Sequence, residues 1–164
     1  HMLIRKTEKR DLPALLAIYN HEVEHGVATL DLHPRTMAQW EEWYESHATD
    51  THFILTAEIN GVPAGYASLS EYRTKEAYAS TVELSIYVGE GYRRMGVASA
   101  LMEAILKIAK EHPKIHSVVS VITSDNEASA RIHEKFGFRF CGTLHEVGYK
   151  MGAFRNIDNY ELPV

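Results

Sequence analysis

Cysteine is all but absent from this chain: Cys141 stands alone among 164 residues. No intrachain disulfide can form, so the fold must rest on burial and hydrogen bonding. A lone thiol suits a reducing interior, which leads to the expectation of a cytoplasmic protein. The apolar setting of FRFCG favours a buried structural thiol over a nucleophile. An excess of positive charge is missing too. Seventeen Lys and Arg against 22 Asp and Glu give a formal net charge of -5. That disfavours bulk nucleic-acid binding, which needs a basic surface, and leaves room for a small anion held by a local basic loop. No run approaches the roughly 18 apolar residues of a membrane span, so no membrane partner is expected. The chain opens on what reads as folded sequence rather than a signal peptide, and His1 before Met2 reads as a cloning scar. Low-complexity tracts, repeats and linkers are also lacking. With 45% hydrophobic residues, the length suits one domain over residues 1–164 with a real core.

What is present alternates between strand and helix patterns. LIRK (3–6) is a short strand. Asp11 stands as an N-cap, Pro13 fits the first turn, and Leu12, Leu15, Leu16, Tyr19 and Val23 recur at helical spacing until Gly26. Thr36 and Gln39 form a capping-box pattern ahead of a helix face of Trp40, Trp43, Tyr44 and His47. HFILTAEI, Asn60-Gly61 and VPAGYASLSEY read as a hairpin with a type I′ turn. STVELSIYV (80–88) is a strand and SALMEAILKIAKEH an amphipathic helix. IHSVVSVIT is a strand, and NEASARIHEKF is a helix closed by Gly137. FRFCGTL and 147–162 are β-rich. This order predicts an α/β fold: one mixed sheet with helices on both faces.

HEVEH (21–25) matches H-E-x-x-H, which on a helix puts His21 and His25 on one face with Glu22 as a base for zinc chemistry. The extended zinc pattern would need Gly and His where Ala28 and Asp31 stand. A third ligand would have to come from Glu41, Glu42 or Glu45, and nothing singles one out. The plainer reading is a solvated helix end, with no metal expected.

STVELSIYV carries a stronger signal. Val82, Leu84, Ile86 and Val88 point one way, into a core, and Glu83, Ser85 and Tyr87 the other. An acid, a hydroxyl and a phenol on one face fit either a face open to water or the floor of a site. In a site, Glu83 would be a general base whose pKa burial raises. The strand ends at Val88. Arg93-x-x-Gly96-x-Ala98 then opens a helix, where free amides and the helix dipole favour an anion and Gly96 leaves the backbone open to it.

VELSIYVGEGYRRMGVASALMEAIL resembles the core motif of the GNAT superfamily of acetyl-CoA-dependent N-acetyltransferases. IYNHEV, DLHPRT, DNEASARIHEKFGF and GYKMGAFRNID are similar to its phosphinothricin N-acetyltransferase-like branch, in order and over nearly the whole chain. The resemblance implies the GNAT fold, a central twisted mixed sheet, and acetyl-CoA as cofactor. The pyrophosphate would rest on Arg93, Arg94, Met95, Gly96, Val97, Ala98 and Ser99. Main-chain groups of Ile86, Tyr87 and Val88 would pair with pantetheine as an added strand does. Asn126 and Ser129 would face coenzyme A. Glu83 and His133, the latter standing where many members of the superfamily carry Tyr, would handle protons. Arg73, Lys75 and Tyr78, with Tyr87, Glu83 and Leu30, would meet a small amino-acid-like amine. Leu30 stands where the branch often has Phe, and Phe154 where Trp is common, so side-chain specificity is left open. A homodimer is also implied. The other readings are a non-catalytic acyl-CoA sensor and, through HEVEH, a zinc hydrolase.

Overall fold

The computed structural model describes residues 1–164. Its elements are β1 (Met2–Lys6), α1 (Leu12–His25), α2 (Met37–Ser46), β2 (Phe53–Ile59), β3 (Val62–Glu71), β4 (Thr81–Val88), α3 (Val97–Glu111), β5 (Ser117–Thr123), α4 (Glu127–Lys135), β6 (Arg139–Lys150) and β7 (Ala153–Pro163). This is the order read from the sequence. Single turns of 3-10 helix at Lys9–Asp11, Glu76–Tyr78 and Glu90–Tyr92 are additional.

The local signals account for most of the boundaries. Thr36 Oγ1 accepts from the Gln39 amide at 3.2 Å while Gln39 Oε1 accepts from the Thr36 amide at 2.9 Å, the reciprocal capping box that starts α2. Asn60 and Gly61 both take positive φ, 50° and 80°, as the two-residue turn between β2 and β3 requires. Gly137, at φ 88°, follows the end of α4.

All seven strands join one sheet in the order β1-β2-β3-β4-β5-β7-β6. Every pairing is antiparallel except β4 with β5. The two faces are packed differently. Leu101, Met102 and Ile105 of α3 bury against Val82 and Leu84 of β4 and Leu55 of β2, and Ala130 and Ile132 of α4 pack on the same core. The opposite face carries α1 and α2, with Leu15, Tyr19 and Val23 closing on Trp40, Ile54 and Tyr66. The alternation in β4 holds: Val82 and Leu84 join the first core, while Tyr87 packs against the second.

Two expectations are corrected. Asp11 occupies the N-cap position of α1 without capping it. Its carboxylate instead accepts from Arg5 at 2.7 and 2.8 Å and from the Glu8 amide at 2.8 Å, and Arg5 also reaches Glu58 at 2.7 Å. A guanidinium on the neighbouring strand offers two charge-assisted bonds, more than the first turn of the helix can. Cys141 is exposed, not buried. It is the extra residue of a bulge between Phe140 and Gly142 on β6, the edge strand of the sheet, and its thiol donates to Glu161 at 2.7 Å.

Burial pushes the Asp11 carboxyl up, but the bonds from Arg5 and the Glu8 amide outweigh it and hold the group below the ordinary 3.8. Its contribution is therefore complete above the unfolded value and is lost as pH falls through the lower folded one. Asp11→Asn is expected to cost about 2 kcal/mol at neutral pH, because Arg5 loses one of its two carboxylate partners and keeps only Glu58. Thermal melts should show that gap closing as pH drops below about 4.

Candidate functional site

The site follows from how little β4 and β5 share. They pair only through Thr81–Ser117, Val82–Val118 and Glu83–Val119. Beyond Glu83 each strand stays bound on its far side: β4 pairs with β3 out to Val88, and β5 with β7 out to Thr123. The strands part, and a cavity of about 600 Å³ opens between them. Ser85, Ile86, Tyr87 and Val88 line one wall, and Val121, Ile122, Thr123 and Ser124 the other. Both walls present backbone edges that no strand pairs.

At the end of β4 the chain passes through the 3-10 turn and enters α3. Gly96 occupies the N-cap position with φ 79°, and no side chain caps the helix. The amides of Val97, Ala98 and Ser99 therefore have no intrahelical acceptor. A Cβ at Gly96 would meet nothing within 4 Å, so the space above this turn is open. Arg94 also has positive φ, 64°, which turns the chain so that this open side is presented. Arg93 lines the cavity, as does Ala98.

The far side is α4. Asn126 is its N-cap, with Oδ1 accepting from the Ser129 amide at 3.1 Å. Asn126, Ser129 and His133 all line the cavity, as their spacing on one helix face predicts. His133 is buried against Phe138 and Tyr160. Its Nδ1 donates to the Ser129 carbonyl at 2.7 Å, which fixes the tautomer and leaves an Nε2 lone pair with no partner in the chain. Burial lowers its pKa against the opposing pull of that carbonyl, so the ring is neutral.

Glu83 stands apart from this cavity. It lies on the α1 and α2 side of β4, at the last residue before the strands diverge. Across β3 the register sets Tyr66 opposite Tyr87, Ser68 opposite Ser85 and Ser70 opposite Glu83. A second, smaller cavity of about 150 Å³ lies along this ladder under Trp40 and Trp43. Burial raises the Glu83 pKa above the ordinary 4.5, and the nearby charge of Arg73 opposes the rise.

The HEVEH segment lies wholly within α1. His21 and His25 stack at 4.7 Å, as their spacing requires. Glu22 turns into the larger cavity and forms an ion pair with Arg93, and His21 sits 3.2 Å from Glu90. No third Asp, Glu, His or Cys completes a metal-holding group with them.

Residues 13–138 match the acetyltransferase (GNAT) family. The chain belongs to that family. Acetyl-CoA-dependent N-acetyl transfer is therefore its chemistry. It is 37% identical to a phosphinothricin N-acetyltransferase of Streptomyces coelicolor, covering 98% of this chain and 95% of that one. It is 33% identical to an L-methionine sulfoximine/L-methionine sulfone acetyltransferase of Pseudomonas paraeruginosa, covering 97% and 92%. Among solved structures, a putative acetyltransferase from Salmonella typhimurium with acetyl-CoA superposes with a TM-score of 0.95, at 31% identity and 99% and 94% coverage.

For a GNAT chain, the structure gathers part of the expected set. Ile86, Tyr87, Val88, Arg93 and Ala98 face Asn126, Ser129 and His133 across one cavity. Arg94, Met95, Gly96, Val97 and Ser99 make up the adjoining turn rather than its wall, and Val97 is itself core. Arg73, Lys75 and Tyr78 are exposed on the loop before β4, with Arg73 over the rings of Tyr72 and Tyr78. Leu30 packs against Gly148, away from both cavities. The sequence reading missed Lys150. It is buried, and its Nζ donates to the Thr29 carbonyl at 2.8 Å and to the Glu22 carbonyl at 3.4 Å, fixing the segment of Val27 and Ala28 beside the gap. No local pattern marks a contact made across 121 residues.

Proposed function

We propose that this N-acetyltransferase moves the acetyl group directly to the amine of a small amino-acid-like substrate of the phosphinothricin or methionine sulfoximine and sulfone type. The observation that carries the cofactor half of this reading is the three-residue pairing of β4 and β5, with an uncapped helix start at the mouth of the gap it leaves. A long, thin ligand with an extended amide-bearing arm and an anionic end suits that shape. The unpaired edges can hydrogen-bond the arm as an added strand would, and the amides of residues 97–99, with Arg93, can take the anion. Acetyl-CoA supplies the thioester carbonyl that the amine attacks. The acceptor half is supported by the named activities of the relatives and by the charge on the loop before β4. There Arg73 and Lys75 offer cations to a carboxylate or phosphinate.

The proton chemistry divides between two groups. The amine arrives as an ammonium and must lose a proton before it can attack. Glu83, ionised but with its pKa raised by burial, is the base on the acceptor side. His133 has a free Nε2 lone pair in a neutral ring, so it accepts a proton or a hydrogen bond and does not donate one. It suits a second base, not an acid. A sensor that only bound acetyl-CoA would need neither group.

The chain is further proposed to act as a homodimer in the cytoplasm. The β6–β7 hairpin ends the sheet and leaves Phe140, Leu144, Val147, Tyr149, Met151 and Phe154 exposed, a concentration of large apolar side chains that a second copy would cover.

Four outcomes test these readings. With acetyl-CoA and a panel of amino acids and analogues including L-methionine sulfoximine, thiol release should track one acceptor class. Glu83→Gln should lower turnover at saturating substrate by about 100-fold or more. The wild-type acid limb, which falls as protonation removes the carboxylate, should lie above 4.5 and vanish in the variant. Unchanged turnover at every pH would sink the base assignment. For the cofactor turn, calorimetry should find Gly96→Trp severely weakened in coenzyme A binding and Arg94→Ala only mildly so, because the amides and not the Arg94 charge do most of the holding. For assembly, light scattering should give a dimer mass that Val147→Asp halves.

A further inference from the structure

Glu83 has a partner path that the sequence pattern does not announce. Ser70 lies directly opposite it in the antiparallel pair of β3 and β4, so the two side chains share one face with Cβ atoms about 5 Å apart. On its other side, Ser70 Oγ is 2.7 Å from Nε2 of His47, the residue that ends α2. His47 Nδ1 is 2.6 Å from the carbonyl of Trp43, which can only accept, so Nδ1 carries the proton and Nε2 presents a lone pair. Ser70 therefore donates its hydroxyl proton to His47, and its oxygen can still accept a bond from Glu83, whose carboxylate takes no hydrogen bond within the chain and has to turn across the pair to donate once it is protonated. Ser70 also borders the smaller cavity that runs along Ser68 and Ser85 beneath Trp43.

We propose that Ser70 and His47 are positioning residues for the acetyl-transfer reaction: they carry away from Glu83 the proton it takes from the ammonium of the acceptor. The inference rests on the reading of Glu83 as the base. The step balances without any other reactant. The carboxyl proton of Glu83 passes to Ser70 Oγ as the hydroxyl proton of Ser70 passes to His47 Nε2. Glu83 returns to a carboxylate, Ser70 is unchanged, and His47 becomes an imidazolium that releases its proton at the half-buried end of α2.

The surroundings bring the two groups closer in proton affinity. Glu83 and His47 ordinarily differ by the interval between 4.5 and 6.5. Burial raises the first and lowers the second, so the interval narrows. The groups that act on the pair are few. Arg73 favours the ionised carboxylate of Glu83. On His47, the Trp43 carbonyl favours the imidazolium and His52 opposes it. Ser46 Oγ lies 3.0 Å from Nδ1, and Val119, opposite Glu83 on β5, brings no charge.

The test uses the full chain with acetyl-CoA and L-methionine sulfoximine, or whichever acceptor of the panel turns over faster. Ser70→Ala and His47→Gln should each lower kcat about tenfold while leaving KM for acetyl-CoA unchanged. Ser70→Thr should keep the rate, and added imidazole should restore much of it in His47→Gln. Adding Ser70→Ala to Glu83→Gln should cost nothing further, since both act on one proton. Unchanged kcat in Ser70→Ala, or a loss that imidazole does not relieve and that raises KM as well, overturns the relay. If His47→Gln fails to fold, Ser70→Ala and Ser70→Thr decide alone. Full activity in Glu83→Gln would instead remove the base reading beneath it, a result distinct from failure of the relay.

Discussion

Three residue pairs hold the two halves of this sheet together. Thr81, Val82 and Glu83 of β4 meet Ser117, Val118 and Val119 of β5, and nothing beyond them pairs. The reason lies on the outer edges. Antiparallel partners claim β4 from Val82 to Val88 on one side and β5 along its whole length on the other. Each strand follows its own half-sheet, and the twist built into each half carries the two apart. Backbone amides and carbonyls on the inner edges are left without ladder partners, a state that a protein tolerates only where water or a ligand meets them. The cavity, its hydrogen-bonding walls and its alignment with the start of α3 all descend from that early stop in pairing.

The same divergence sorts the candidate proton-handling groups onto different faces. Glu83 sits at the fork but points toward α1 and α2, into the layer of Tyr66, Tyr87 and the serine ladder. His133 comes from α4 on the other face, clamped by Phe138 and Tyr160 with its Nδ1 spent on a carbonyl. Desolvation acts on both, raising the acid and lowering the imidazole, so burial moves each toward its uncharged form. A carboxylate and an imidazole on opposite faces do not form one hydrogen-bonded dyad. They can serve the two sides of a transfer that takes place between the faces, with the acceptor approaching from one and the acyl donor lying in the gap.

Much of the fold was legible because its signals are local. The capping box of Thr36 and Gln39, the Asn60-Gly61 turn and the alternation of β4 each depend on residues within a few positions, and each formed as read. The uncapped start of α3 was legible for a related reason: strand end, glycine turn and helix start are consecutive. What escaped depends on register or on distant partners. Asp11 looked like a cap until Arg5 of β1 took its carboxylate. Cys141 looked buried because its neighbours are apolar, but an edge strand with a bulge has no layer to hide it. Ser70 carries no local mark of a role, and only the pairing of β3 with β4 sets it opposite Glu83.

HEVEH keeps the geometry of its pattern while its acid takes a different partner. The two histidines do share a face of α1, yet the acid between them is turned into the larger cavity to meet Arg93. A carboxylate lining a site for an anionic ligand is unfavourable by charge alone, since it repels what the amides of α3 attract. Its gain is order. Arg93 is long and more than half exposed, and without a partner it would sample many rotamers. Glu22, mostly buried and set in a helix whose last turn Lys150 holds by its carbonyl, gives that guanidinium one place to rest at the mouth of the gap. An anion entering there meets an arginine already in position and shares it with Glu22, so part of the ordering cost is met before binding and part of the attraction is given up. The acid of the apparent metal motif thus acts as a restraint on Arg93 at the mouth of the larger cavity.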